Sequence, residues 1–155
     1  MSDSFGTNTN PETGTSRDVL LVRDVLLVED DELDVKLFRH SQQKFDLHNR
    51  VFVAHSGPEA LTLLDSAELT PTSTLLLIDI NLPLMDGLTL LKQVRSRPDW
   101  ASIPAFMLTS SNYERDVVDA MALGVAGYLL KQDLNKIMSV ASSKLRKFLQ
   151  EQVPR

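Results

Sequence analysis

Four short segments of this 155-residue chain place acids, hydroxyls and a lysine at the ends of apolar runs. Glu29-Asp30-Asp31 follows Asp24-Val25-Leu26-Leu27-Val28, and Asp79-Ile80-Asn81-Leu82-Pro83-Leu84-Met85-Asp86-Gly87 follows Leu75-Leu76-Leu77-Ile78. Thr109-Ser110-Ser111 follows Ala105-Phe106-Met107-Leu108, and Lys131 follows Tyr128-Leu129-Leu130. If the runs are strands of one open parallel sheet, these residues meet beyond its carboxyl edge, where such sheets bind ligands. Carboxylates gathered there repel one another. A bound divalent cation and a lysine relieve that repulsion. The set therefore predicts a magnesium-dependent phosphoryl site with Asp79 as acceptor. Helix capping alone would account for one acid of the triplet, not for Asp79 and Lys131 as well.

The elements that must position these residues alternate. The second copy of a repeated hexapeptide, Arg23–Val28, reads as the first strand. Leu33, Leu37, Phe38 and Phe45 recur at helical spacing, predicting a helix over 32–45. Arg50–Ala54 reads as a strand. Ser56-Gly57-Pro58-Glu59 has the form of a capping box for a helix through Leu64. Leu75–Asp79 is an apolar strand, followed by a helix over 88–97 that Pro98 stops. Ala105–Thr109 is the next strand, then a helix over 114–123 with Gly124 as its cap. Val125–Leu130 is the last strand. Asp133 can cap a final helix whose stripe is Leu134, Ile137, Met138, Ala141, Leu145, Phe148 and Leu149. This alternation, with fully apolar strands, predicts an α/β fold: a doubly wound five-stranded parallel sheet covered by helices on both faces.

The four motifs, in this order and at these spacings, resemble the receiver domain of two-component response regulators, over residues 23–152. The resemblance implies a flavodoxin-like receiver fold and a phosphoryl group accepted from a histidine kinase on Asp79. It implies Asp30 and Asp79 as direct magnesium ligands, Glu29 through water, and the Asn81 carbonyl as a further ligand. It assigns Lys131 to the acceptor carboxylate and then to the phosphoryl oxygens, and Thr109 as a hydroxyl donor. Tyr128 matches the family's aromatic switch position, though a half-buried core tyrosine reads the same way. Asn81 and Ser111 occupy the positions that tune loss of the phosphoryl group. One departure is Gln132, where most receivers have proline after the lysine. A cis bond there would cost about 2.5–4 kcal/mol without proline, so a trans peptide and a shifted loop are expected.

Net charge is −5 and cysteine is absent. These argue against a nucleic-acid binder and exclude disulfides, consistent with a cytoplasmic protein. No apolar run approaches the roughly 18 residues of a membrane span. Residues 1–22 form a tail. Its first part, rich in Ser, Thr, Asn, Gly and Pro, has a composition that predicts disorder. It ends with Arg17–Val22, repeated verbatim as Arg23–Val28. That repeat is either a duplication without function or an arm that meets a partner. His40, His48 and His55 lack metal-ligand spacing, and Trp100 is placed to pack over the sheet edge.

Rival chemistries fit less well. A haloacid-dehalogenase-type phosphatase needs a second aspartate two residues after the nucleophile, where Asn81 stands. A flavin-binding protein needs a phosphate loop where Glu29-Asp30-Asp31 would repel phosphate. A calcium loop from Asp30 would put Val35 at its required glycine. The expectation is thus a single-domain response regulator, not an enzyme on free substrates, that assists its own phosphorylation and dephosphorylation. It would act as an output, a relay shuttle or a phosphate sink. The long Ser96–Ile103 connection and the Leu108–Ser111 stretch are similar to regulators paired with phytochrome kinases. Val117, Val118 and Met121 of the fourth helix, with Phe148 and Leu149 of the last, suggest a homodimer through the fourth helix, last strand and last helix.

Overall fold

The structure, a computed structural model, describes residues 22–110, 114–140 and 143–150. Five strands, β1 (Asp24–Val28), β2 (Arg50–Ala54), β3 (Thr74–Asp79), β4 (Ala105–Thr109) and β5 (Gly127–Leu130), form one parallel sheet in the order β2-β1-β3-β4-β5. The three central strands are buried throughout, whereas the edge strands β2 and β5 are only partly covered. That difference explains why the central strands read as unbroken apolar runs. Alternate side chains face opposite layers. Leu26, Val28, Leu76, Ile78 and Met107 pack under α2 (Gly57–Asp65), α3 (Gly87–Arg95) and α4 (Glu114–Ala122). Val25, Leu27, Leu75, Leu77, Phe106 and Leu108 pack under α1 (Glu32–Lys44), α5 (Leu134–Ser139) and α6 (Lys144–Gln150).

Only the second hexapeptide copy forms β1. Asp24, an acid inside an apolar run, is buried and held by the Arg50 fork at 2.7 and 3.0 Å. Val22 closes the first copy and is buried beside Val25 and Leu27, while residues 17–21 lie outside the described residues. The capping box at Ser56 forms with one change: Ser56 accepts from the Glu59 N–H, and Glu59 reaches back to the His55 N–H at 3.0 Å. Gly124 has φ of +72° after α4, and the Val125 N–H returns to the Ala120 carbonyl. Such an ending suits glycine because a left-handed residue with a Cβ is strained. It also consumes Val125, so the last strand begins at Gly127 rather than Val125.

Two expectations need correction. The α1 helix forms, but it buries Val35, Phe38, Ser41 and Gln42. Leu33 and Leu37 are 63% and 49% exposed. The buried face pairs apolar Val35 and Phe38 with polar anchors: Ser41 Oγ meets Asn135 Oδ1, and Gln42 Nε2 donates to the Asn49 carbonyl at 2.6 Å. The final helix is two helices. Val140 is extended, Asp133 makes no side-chain cap, and Arg146 donates to the Met138 carbonyl at the end of α5. Ser143 Oγ then accepts from the Arg146 N–H at the start of α6. The break still leaves Leu134, Met138, Leu145 and Leu149 buried on the sheet. Phe148 meets Phe106 edge-to-face at 5.7 Å, so α6 spends its apolar side chains within the fold. Ala141 lies outside the described residues.

Candidate functional site

The strand order reverses between β1 and β3, which lie side by side while β2 flanks β1 on the outside. Val28 pairs with Ile78, so Glu29 and Asp79 emerge together at the carboxyl edge. Asp79 pairs with Leu108 and Thr109 with Leu130, which brings the hydroxyl strand and the lysine strand to the same edge. The resulting open cleft is lined by Glu29, Asp30, Asp31, Asp34, Asp79, Asn81, Ser110, Lys131 and Gln132.

Within the triplet the three acids separate. Asp31 is the N-cap of α1, accepting the Leu33 N–H at 2.8 Å, and is the one acid that capping explains. Glu29 is buried, accepts the Asp31 N–H at 3.2 Å, and faces Asp79. Asp30 is exposed at the cleft mouth. One oxygen each from Glu29, Asp30 and Asp79 lies within 4.8 Å of the others. Asp79 Oδ1 accepts the Asn81 N–H at 3.1 Å, and its Oδ2 lies 3.1 Å from Lys131 Nζ.

Lys131 Nζ also lies 2.8 Å from Glu29 Oε1 and 2.7 Å from Asp34 Oδ2. The sequence reading passed over Asp34. Its available signal was position: it stands one helical turn beyond Asp30 and Asp31. Burial works against the lysine's charge, yet the bonds to Asp34, Glu29 and Asp79 hold its pKa well above the ordinary value. Burial also pushes Glu29 up to about 7, against the pull of Lys131 and with the Asp79 charge adding to the rise. The Glu29 Oε1 contact is an ion pair without hydrogen-bond direction, so this buried oxygen keeps a free acceptor position among the described residues. A crowded, oxygen-only donor set with an unfilled buried acceptor fits a hard divalent cation. Asp30, Asp79, Glu29 and the Asn81 carbonyl are the groups that would hold it.

The acceptor loop is supported by a glycine whose role the sequence reading also missed. The Gly87 N–H donates to the Ile80 carbonyl at 2.8 Å, and a Cβ there would sit 2.3 Å from the Asp79 carbonyl oxygen. Thr109 is fully buried at the end of β4. Tyr128 is half-buried, packs against the α4-side core, and has its pKa raised by burial and by Asp116. Nearby Thr109 eases that rise, but the contact falls short of hydrogen-bond geometry, so the buried phenol oxygen has no such partner among the described residues. Lys131–Asp133 forms a 3-10 turn with a trans peptide before Gln132. Ser111 lies outside the described residues. His55 pairs with Glu32 and Glu59, His48 with Asp46, and Trp100 is a core residue.

A profile of the response regulator receiver domain matches residues 25–142. The chain belongs to the response regulator receiver family. This receiver is 33% identical over 107 residues to response regulator Rcp1 of Synechocystis sp., covering 67% of this chain and 73% of that protein. Among solved structures it is similar to the Mn(2+)-bound form of response regulator Rcp1, with a TM-score of 0.68 at 29% identity, covering 85% of this chain and 97% of that one. It is likewise similar to the phosphorylated cyanobacterial phytochrome response regulator RcpA, with a TM-score of 0.69 at 26% identity, covering 86% and 97%. Among the described residues no helix is long and apolar enough to cross a membrane.

Proposed function

We propose that this receiver accepts a phosphoryl group on Asp79 from a histidine kinase, with magnesium as the working cation, and signals by the surface change that follows. The observation that carries this reading is the three-way meeting of Asp79, the Glu29–Asp30 acids and Lys131 at one sheet edge. Asp79 attacks the phosphorus through a carboxylate oxygen while the phosphorus–nitrogen bond of phosphohistidine breaks and its electrons return to the imidazole. Asp30, Asp79 and the Asn81 carbonyl, with Glu29 through water, would hold the cation, which would supply neutralisation of phosphoryl charge. Lys131 steadies the carboxylate before transfer and the phosphoryl oxygens after it, and the Thr109 hydroxyl donates to one of them. The phosphoryl group carries roughly −1.5 to −2 charges in place of the single carboxylate charge, a gain of about half to one negative charge at Asp79, which draws Thr109 toward it and biases Tyr128 and the α4–β5 face.

The likeness to a phytochrome response regulator supports a phytochrome as the kinase, acting in the cytoplasm on this chain as a single-domain regulator of residues 23–152. Val118 and Met121 stand 61% and 57% exposed on α4, which supports a second copy as the partner of that face. Asn81 and Ser111 are small and polar, leaving water a route to the acyl phosphate and a lifetime of minutes. The test is labelling with acetyl phosphate, or with a phosphorylated kinase, in magnesium. Hydroxylamine-labile label on Asp79 that disappears in Asp79→Asn is expected. Label that persists at another residue would overturn the reading.

A further inference from the structure

Three carboxylates divide one ammonium. Lys131 Nζ lies 2.7 Å from Asp34, 2.8 Å from Glu29 and 3.1 Å from Asp79. Two of its three donors bond Asp34 and Asp79, and the third faces buried Glu29 as an ion pair. The shortest contact goes to the acid that stands outside the metal-binding group of Glu29, Asp30 and Asp79. Asp34 is fixed from the first turn of α1, whose start Asp31 caps. It bridges that helix to the residue following β5, 97 positions along the chain.

A phosphoryl group on Asp79 brings new acceptor oxygens and added negative charge to the lysine. To serve them fully, the ammonium must release one of its present partners. Glu29 has a side chain only 1% exposed, so releasing it would leave a buried acid without its counterion. Asp34 is 24% exposed, so water can take over its oxygens once the lysine leaves. Asp34 is therefore the partner that exchanges.

We propose that Asp34 is a positioning residue that anchors the resting Lys131 ammonium on α1 and competes with the phosphoryl group for it, so that it slows phosphorylation of Asp79 and shortens the life of the product. This inference rests on the receiver reading given above. Freed of Asp34, the ammonium turns wholly to Asp79 and Glu29. The cleft also loses one negative charge that opposes an anionic donor.

The experiment compares wild type, Asp34→Asn and Asp34→Glu, with Asp34→Ser as a second charge-removing variant, all checked for cooperative thermal unfolding. Labelling of Asp79 by acetyl phosphate in saturating magnesium should be roughly threefold to fivefold faster in Asp34→Asn, the size of a partly exposed ion pair. Loss of the label should be slower by a similar factor, and Asp34→Glu should return both rates toward wild type. In the unphosphorylated, metal-free protein, nuclear magnetic resonance of the Lys131 ammonium should show faster hydrogen exchange in Asp34→Asn, a signal that a packing role would not produce. Magnesium affinity by calorimetry should not rise. Labelling at the wild-type rate or slower in both charge-removing variants overturns the proposal, as does a rate gain that follows tighter magnesium binding. A wild type that takes no label at Asp79 is a different result, and defeats the receiver reading itself.

Discussion

Gly87→Ala should damage this protein in stability and chemistry together, because the new methyl group has only main chain to push against. Its Cβ would lie 2.3 Å from the Asp79 carbonyl oxygen, 2.9 Å from Ile80 Cα and 3.0 Å from the Asp79 carbonyl carbon. Carbon atoms pack best about 3.5–4.0 Å apart, so the loop must open by roughly half an ångström or more. It cannot open freely. The Gly87 N–H is bonded to the Ile80 carbonyl at 2.8 Å, and Asp79 is locked in register against Leu108. Overpacking against mobile side chains costs about 1–3 kcal/mol; against backbone, the upper end of that range is expected, about 3 kcal/mol. The same push moves Asp79, whose carboxylate lies 3.1 Å from Lys131. Displacements near 1 Å at a reacting group can cost about a hundredfold in rate, so labelling by acetyl phosphate should fall at least tenfold. Urea unfolding would read the first effect as a lower midpoint at an unchanged slope, and single-turnover labelling would read the second. Gly124→Ala is the control: φ is +72° but nothing lies within 4 Å of its Cβ. It should cost about 1 kcal/mol and leave labelling alone. A Gly87→Ala protein within about 0.5 kcal/mol of wild type, with normal labelling, would refute the reasoning.

Glu29 should make the metal-free protein lose stability as pH rises. Folded Glu29 keeps its proton up to about 7 instead of 4.5, so its contribution is complete below about 4.5 and fades by about 7, a change of about 3 kcal/mol. Urea midpoints across that range in EDTA should be flatter in Glu29→Gln, and parallel curves for the two proteins would contradict this. Asp31→Ala should cost about 1 kcal/mol of helix-cap stability and spare magnesium binding, whereas Asp30→Ala should spare stability and abolish binding measured by calorimetry. Equal binding losses in the two would show that the acids are wrongly apportioned. Leu84 is 87% exposed at φ of +71°, a strained conformation for a residue with a Cβ. Leu84→Gly should therefore raise stability by about 0.5–1 kcal/mol, and a lower denaturation midpoint would count against that.

The sequence by itself determined what depends on neighbours along the chain. Apolar runs marked β1, β3 and β4 because these strands are buried on both faces, with polar residues confined to their ends. The Ser56 cap and the Gly124 ending were legible because both are made within a few residues. Strand ends also showed where Asp79, Glu29, Asp30 and Lys131 must gather, since parallel strands deliver their following residues to one edge. Tertiary structure decided everything that depends on which distant surface an element meets. Helical spacing in α1 was correct, but the face that meets the core carries Val35, Phe38, Ser41 and Gln42, which leaves Leu33 and Leu37 outward. The apolar stripe after Lys131 was correct, but the grip of Arg146 on Met138 attends a break into two helices, and Phe106 claims Phe148. Asp34 became a partner of Lys131 only because the sheet brings residues 97 apart into contact. No spacing along the chain links the two partners of such an ion pair, because the free energy that selects it arises only when the fold has closed around both charges.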